Sequence, residues 1–235
     1  MARVARTRRA AAVEGAHKRP GPRSGTRQTA GTRDDLLQAG AEVFAEVGFD
    51  GATAERIAER AGTTKAMINY HFRSKQGLYE AILLATFLDL SARLDGVRES
   101  GVGAPDQLRV FVAEFARAAT ARPSFPAIMV REVLSGGKNL PEGVLPRVLG
   151  VMGIVRGIVE QGVAEGSFRG VNPLLTHLSL VGAMLFYFAT EPFRQQAPAK
   201  VRMDQPPPTA QAFVEHMQEL MVRGLAADAA PRRRN

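Results

Sequence analysis

The chain has 235 residues, enough for a small N-terminal domain and a larger second domain. It contains no cysteine, which excludes disulfides, thiol chemistry and thiolate metal sites. The formal net charge of +8 is concentrated at the ends, because residues 1–32 hold eight basic residues and one acidic residue, and the basic tail at 229–235 holds three arginines.

The N-terminal segment, residues 1–32, mixes Arg, Gly, Pro and Thr without hydrophobic periodicity, so we expect a disordered basic arm. It has few hydroxyl residues and no apolar face, which argues against an organelle transit peptide. The folded part is expected to begin near Thr32. A first helix is predicted over residues 34–47, whose apolar side chains share one face, and Gly48 is expected to end it.

Residues 53–77 predict a helix-turn-helix followed directly by another helix. Thr53 can cap the first helix of the motif, Gly62 can supply the turn, and Thr64 can cap the second helix. Ser74 can cap the helix that follows.

The second helix of this motif has one face toward the core, with Ile68 and Phe72, and one face away from it. The outward residues are Ala66, Met67, Asn69 and Tyr70. Groups that seek phosphates stand at both ends of the helix, namely Lys65, Arg73 and Lys75. A small, polar and aromatic surface flanked by cations indicates a helix that binds DNA.

The rest of the chain predicts six more helices, which makes nine in all, and no stretch alternates as a strand does. They cover residues 75–97, a segment around 108–115, 123–134, 141–165, 174–190 and a helix capped by Thr209. Residues 195–208 are proline-rich and predict a linker, with Pro192 ending the helix before it. The run at 174–190 is apolar but falls short of the ~20 residues that span a bilayer, so we expect a buried helix and no membrane contact.

These features resemble the DNA-binding domain of TetR/AcrR-type regulators in order and spacing. The resemblance covers about fifty residues. It is carried by the first helix, the Gly48-Phe49 turn, Thr53, the pairs Ile57-Ala58 and Ala61-Gly62, and the run from Ile68 to Phe72 with Ser74-Lys75. Two positions depart from the family pattern, since Thr63 replaces a small apolar residue and Asn69 stands where tyrosine is frequent.

The resemblance implies an all-α fold. A three-helix domain with the helix-turn-helix, residues 33–77, would precede a six-helix domain for ligand binding and dimerisation, residues 78–228. It also implies that Thr53, Tyr70, His71 and Lys75 bind backbone phosphates. The expected DNA-binding residues are Thr53, Thr64, Lys65, Ala66, Met67, Asn69, Tyr70, His71 and Lys75. Of these, Thr64, Lys65, Ala66 and Met67 are expected to approach base edges. A lysine can bond guanine, and an alanine or a methionine can meet a thymine methyl group.

A ligand pocket among the middle helices is also implied by the resemblance, and flexible methionines suit an adaptable apolar cavity. The expected lining is Phe111, Phe115, Met129, Met152, His177, Met184 and Tyr187. Plain core packing is the alternative for each of them. Arg131 and Glu132 are expected to form a local salt bridge or a solvated pair.

The last two helices would form a four-helix interface with the same pair of a partner, again by resemblance. The expected interface residues are Leu178, Leu185, Phe213, Met217, Leu220 and Met221. Packing within one protomer is the alternative. A dimer would present two DNA-binding domains to a palindrome.

No histidine pair has metal-ligand spacing, and no phosphate-binding glycine loop or nucleophile elbow is visible, so we predict no enzyme, no metal and no cofactor. Sequence and resemblance together predict a cytoplasmic homodimeric transcriptional regulator. We expect a repressor that a small molecule of unknown identity releases from a palindromic double-stranded DNA operator. An activator, or a helical ligand-binding dimer that no longer binds DNA, are the alternatives.

Overall fold

The computed structural model describes residues 25–99, 101–200 and 206–227. Within these ranges the chain forms ten helices. Phe168 and Ala226, which lie outside the helices, form an isolated antiparallel bridge. The helices are α1 (Gly25–Gly51), α2 (Ala54–Arg60), α3 (Lys65–Phe72), α4 (Lys75–Glu99), α5 (Ala104–Ala121), α6 (Ser124–Leu134), α7 (Leu145–Ala164), α8 (Pro173–Ala189), α9 (Glu191–Lys200) and α10 (Ala210–Leu225). The predicted all-α fold is confirmed, but the described residues form ten helices instead of the predicted nine, with seven rather than six after the helix-turn-helix. The basic tail and residues 1–24 of the predicted arm lie outside the described ranges.

Two helix boundaries differ from the prediction. Helix α1 begins at Gly25, upstream of Thr32, since a helix nucleated by its packed part extends at little cost through residues that tolerate helical geometry. The predicted linker is partly helical, because α9 occupies residues 191–200. Pro192 lies in the first turn of α9, where its missing N–H is not needed, so it does not act as a terminator.

The first three helices share one core, and each contributes to it from a single face. Leu36, Val43 and Phe44 of α1 are buried, as are Ile57 of α2 and Ile68 of α3. Helix α1 breaks at Gly48, where φ is 73° and ψ is 176°, which confirms the predicted turn. The chain after this break leads directly into the helix-turn-helix.

A close contact fixes the corner between α3 and α4. A Cβ atom at Gly77 would lie 2.1 Å from the carbonyl oxygen of Phe72, so only glycine permits this approach. Ser74 Oγ accepts a 3.0 Å hydrogen bond from the Gly77 N–H, and this confirms the predicted cap of α4. The orientation of α3 relative to α4 therefore depends on Gly77.

Helix α4 runs from this corner into the second domain. Helices α5 and α7 lie against α4, while α8 packs on α6 and α7, and α10 packs on α5. Helix α6 also packs on α1 of the first domain. The two domains are therefore joined through two elements, α4 and α6.

Candidate DNA-binding interface and ligand cavity

Threonine stands at the start of both helices of the helix-turn-helix. Thr53 Oγ1 accepts a 3.1 Å hydrogen bond from the Arg56 N–H and caps α2 as predicted. Thr64 holds the same position before α3, but its side chain makes no capping hydrogen bond. Gly62 between them has a φ of 64°, the left-handed conformation expected for the turn. The exposed Thr64 hydroxyl can therefore bind a partner of α3.

Helix α3 divides sharply into a buried face and an exposed face. Ile68 and Phe72 are buried in the core of the first domain. The exposed residues are Lys65, Ala66, Asn69 and Tyr70. The side chain of Tyr70 is the most prominent of them, at 73% exposure. Amine, methyl, amide and phenol groups are those that contact phosphates, thymine methyl groups and base edges.

Met67 and His71 lie at the edge of this exposed face and are half-buried. Met67 packs against the core of the domain. The His71 ring meets the Tyr70 ring edge-on, with centroids 4.9 Å apart, and its Nε2 atom is buried without a hydrogen-bond partner among the described residues. Both side chains therefore support the exposed face as well as bordering it.

Lys65 is held by an acidic neighbour in the same motif. Its Nζ atom lies 2.7 Å from Glu55 Oε1, and both side chains are more than half exposed. The hydrogen bond from Lys65 lowers the pKa of the Glu55 carboxyl below its ordinary value. Any contact of Lys65 with DNA must therefore compete with an exposed ion pair, which is a weak interaction.

The ammonium group of Lys75 binds within the domain. Its Nζ atom donates hydrogen bonds of 2.8 Å to the Phe49 carbonyl and 2.9 Å to the Ala52 carbonyl. It also lies 4.1 Å from the centre of the Phe49 ring, a cation–π distance. Lys75 thus ties the segment between the break at Gly48 and the start of α2 to the start of α4, a structural role that the sequence did not indicate.

A cluster of charges between α1 and α2 was also missed. Arg56 lies 2.8 Å from a Glu46 carboxylate oxygen, and Arg60 contacts both Glu46 at 2.8 Å and Glu42 at 3.3 Å. The signal in the sequence was a pair of acidic residues four apart on one helix and a pair of arginines four apart on the next. The cluster orients α2 against α1 at the surface.

The second domain contains an apolar cavity of about 240 Å³ between α4, α5, α6, α7 and α8. The residues that line it are Phe87, Leu90, Phe115, Phe125, Met129, Val130, Val133, Leu134, Val148, Val151, His177, Leu178, Val181, Gly182 and Leu185. Three of the predicted residues, Phe115, Met129 and His177, are among them.

The other four predicted pocket residues do not line this cavity. Phe111 and Met184 are fully buried in the core, and Met152 is half-buried beside the lining residue Val151. Tyr187 lies elsewhere, stacked on Phe213 with ring centroids 3.8 Å apart. Leu178 and Leu185, which we expected in the dimer interface, line the cavity.

Helix α6 connects the cavity to the first domain. One part of its surface lines the cavity, through residues that include Met129 and Val133. Arg131 on the same helix donates hydrogen bonds of 2.9 and 2.7 Å to the carbonyls of Ala45 and Glu46 in α1. The expected local pair of Arg131 with Glu132 is therefore wrong, because the guanidinium caps the end of α1 instead.

Glu132 has a separate partner in α4. Its buried Oε1 accepts a 2.7 Å hydrogen bond from the Tyr79 hydroxyl, while Oε2 is buried without a partner. Burial, followed by the hydrogen bond to Glu132, raises the pKa of the Tyr79 phenol well above its ordinary value. A buried polar contact thus joins α4 to α6 next to the first domain.

The predicted dimer residues have different environments. Leu178 and Leu220 are exposed, at 58% and 53%, and fit an unpaired surface. Leu185, Phe213 and Met221 are half-buried. Met217 is 4% exposed inside the protomer, since α10 packs on α5, so the side chain of Met217 is not available to a partner.

Among the described residues, no single helix is long and apolar enough to cross a membrane.

Comparisons with known proteins agree with this geometry. Residues 36–82 match the family described as "Bacterial regulatory proteins, tetR family". The HTH-type transcriptional repressor NicS of Pseudomonas putida is 34% identical over 163 residues, which cover 67% of this chain and 74% of that protein. The HTH-type transcriptional repressor KstR2 of Rhodococcus jostii is 30% identical over 155 residues, covering 64% and 74%.

Solved structures show the same fold. The ketosteroid transcriptional regulator KstR2 of Mycobacterium tuberculosis superimposes with a TM-score of 0.62 at 22% identity, over 83% of this chain and 95% of that one. The hemolysin II transcriptional regulator HlyIIR gives a TM-score of 0.62 at 18% identity, over 85% and 99%. The predicted resemblance is confirmed, as is the prediction of a regulator rather than an enzyme: this chain belongs to the TetR family of bacterial transcriptional regulators.

Proposed function

We propose that this protein is a homodimeric repressor that binds a palindromic operator through α2 and α3 and leaves it when a small molecule occupies the cavity between α4 and α8. As a DNA-binding regulator it would work in the cytoplasm. The observation that carries the proposal is the exposed face of α3, because a helix anchored by two buried residues presents four exposed ones to a partner. Both sequence relatives described above carry the name of transcriptional repressors.

The contacts with DNA follow from position on α3. Residues at the start of a recognition helix face base edges in the major groove, which places Thr64, Lys65 and Ala66 there. Asn69 and Tyr70 lie one turn further on, beside the sugar-phosphate backbone. Lys75 contributes indirectly, since its two carbonyl contacts hold the turn before α2.

Dimerisation would bury an apolar face of α8. Leu175, Leu178, Gly182 and Phe186 are all exposed and recur at helical spacing along one side of this helix. Leu220 of α10 is exposed as well. An exposed apolar stripe of this kind is typical of an oligomer interface, and the exposed leucine of α10 would extend it.

Release from the operator would pass through α6. This helix lines the cavity on one side and binds α1 through Arg131 on the other. A ligand that moves α6 changes the position of the first domain, and with it the spacing of the two recognition helices in the dimer. A ligand that favours the wrong spacing must lower operator affinity by the same factor by which DNA lowers ligand affinity.

Selection of fragments from the genome of the source organism by the purified full-length protein tests the DNA-binding part. We expect enrichment of a site with dyad symmetry, and weaker enrichment of the same site with Tyr70→Ala, whose exposed side chain can be removed without disturbing the core. Transcription in vitro from the bound promoter should fall when the protein is added. A folded dimer that enriches no sequence would favour a ligand-binding protein that no longer binds DNA, and a rise in transcription would favour an activator.

A further inference from the structure

The size and the lining of the α4–α8 cavity limit what can bind there. A cavity of about 150 Å³ accommodates benzene, so the volume of about 240 Å³ found here corresponds to a ligand of roughly ten non-hydrogen atoms. This is the size of one substituted ring or two fused rings. None of the fifteen lining residues is Asp, Glu, Lys or Arg.

His177 is the polar side chain of this lining. Its Nδ1 atom is buried and has no hydrogen-bond partner among the described residues. A buried polar atom without a partner is unfavourable, so a ligand toward which the imidazole can turn to make the missing hydrogen bond gains affinity. Burial also lowers the pKa of the His177 imidazole, which keeps the ring neutral at physiological pH.

Two charged residues of α6, Arg131 and Glu132, adjoin lining residues in sequence, and both are already engaged. Arg131 donates to the carbonyls of α1, and the carboxylate of Glu132 accepts from Tyr79. A carboxylate or phosphate ligand would lose its water without gaining a counter-ion from the lining, and burial of an unpaired ion is strongly unfavourable.

The rim of the cavity permits entry from the surface. Val133 and Leu134 of α6 line the cavity and are also exposed, and neither belongs to the α8 surface proposed to be buried in the dimer. An apolar rim of this kind accepts an uncharged molecule without requiring a polar group to lose its water. The cavity is also lined by Leu178 and Gly182 of the exposed stripe of α8. A bound ligand therefore contacts residues of the proposed dimer surface.

We propose that the ligand of this cavity is a neutral, largely apolar molecule of one or two rings whose single polar group hydrogen-bonds to the imidazole of His177. This inference rests on the proposed function for its regulatory meaning, but not for the binding itself. His177 is then the residue that determines ligand specificity, while the other lining residues contribute shape and apolar contact.

Three matched probes test the proposal: naphthalene, 2-naphthol and 2-naphthoate, with dissociation constants measured by calorimetry on the full-length protein at pH 7. We expect 2-naphthol to bind roughly two- to ten-fold more tightly than naphthalene, the factor of one recovered hydrogen bond. We expect 2-naphthoate to bind at least ten-fold more weakly than 2-naphthol.

Variants identify the group responsible. His177→Phe and His177→Leu should retain naphthalene binding and lose the preference for 2-naphthol, whereas Tyr187→Phe, which removes a hydroxyl outside the cavity, should keep it. The proposal is overturned if 2-naphthoate binds as tightly as 2-naphthol, if the preference survives both His177 variants, or if none of the probes binds.

Operator release is measured separately with the same probes. Binding of 2-naphthol through His177 without any loss of operator affinity supports the ligand class and contradicts ligand-released repression. Release by 2-naphthoate overturns the ligand class and leaves ligand-released repression intact.

Discussion

The hydroxyl of Tyr79 in α4 donates a 2.7 Å hydrogen bond to the Glu132 carboxylate in α6, and both side chains are buried. Tyr79→Phe removes the donor and leaves the carboxylate without any partner, which should lower the free energy of unfolding by about 1–3 kcal/mol. The double variant Tyr79→Phe with Glu132→Met should recover part of this loss, since it removes both polar groups. Urea unfolding of the two single variants and the double variant measures the coupling, and additive effects would contradict it.

The same contact predicts an alkaline loss of stability. The folded-state pKa of Tyr79 is raised, so its contribution to stability is fully present below the ordinary phenol pKa of about 10 and is lost as pH rises from there toward the folded value. The unfolding free energy of the wild type should therefore fall above about pH 10 more steeply than that of Tyr79→Phe. Parallel pH profiles of the two proteins would show that Tyr79 does not titrate with unfolding.

Substitutions on α3 should separate affinity from sequence preference. Tyr70→Ala should weaken binding to all operator variants alike, because we assign Tyr70 to the phosphate backbone. Lys65→Ala should weaken binding roughly ten-fold and relax the preference at one base pair. Glu55→Gln should strengthen binding, since it frees Lys65 and removes a negative charge near the phosphates. Titrations against single-base operator variants measure these effects, and an unchanged ranking with Lys65→Ala would contradict the base contact.

Lys75 should matter for stability as well as for DNA. Lys75→Met removes the donor to the Phe49 and Ala52 carbonyls and should lower the unfolding free energy by roughly 1–3 kcal/mol. Lys138→Met is the matched control, because its exposed ion pair with Asp50 should contribute little. Thermal unfolding compares the two. Equal stability of both variants would mean that Lys75 is available to phosphate after all.

The α8 stripe should hold the dimer together. Leu175→Glu with Phe186→Glu places two charges on this exposed surface and should give folded monomers with greatly weakened operator binding, because each large apolar side chain buried in a dimer is worth about 1.5–3 kcal/mol. Leu88→Glu with Val110→Glu, also exposed but on α4 and α5, should leave the dimer intact. Sedimentation measures the mass. A stripe variant that remains dimeric would place the interface elsewhere.

The basic arm should add affinity without sequence preference. Residues 1–24 carry seven basic residues and one acidic residue, so their deletion should reduce the slope of log affinity against log salt by about 2 to 4, less than full engagement of every cation would give. The ranking of operator variants should stay the same, because phosphate contacts carry little sequence information. A salt series on both proteins tests this: equal slopes would show an idle arm, and a changed ranking would show base contacts.

The features predicted correctly from sequence are those that depend on neighbours along the chain. Thr53 caps α2 and Ser74 caps α4 because a cap bonds a backbone group only a few residues away. The buried face of α3 follows in the same way from the spacing of Ile68 and Phe72.

The features missed depend on packing between distant segments. Helix α8 is apolar on all sides, so its sequence does not show that the face with His177, Val181 and Leu185 lines the cavity while Met184 enters the core. Met217 was expected in the dimer interface for the same reason. An apolar side chain can be buried by its own protomer or by a partner, and the sequence does not distinguish the two. The structural role of Lys75 could not be predicted, because it depends on where the Phe49 and Ala52 carbonyls lie in the fold.

The corner held by Gly77 has a consequence for how operator preference can change. Since no side chain fits at this position, the angle between α3 and α4 is not open to adjustment by substitution there. New preferences must then arise on the exposed positions 65, 66, 69 and 70, which can vary without altering the domain core. A library randomised at these four positions, with Gly77 kept, should yield folded proteins with altered target sites, and the same library with Gly77→Ala should yield few.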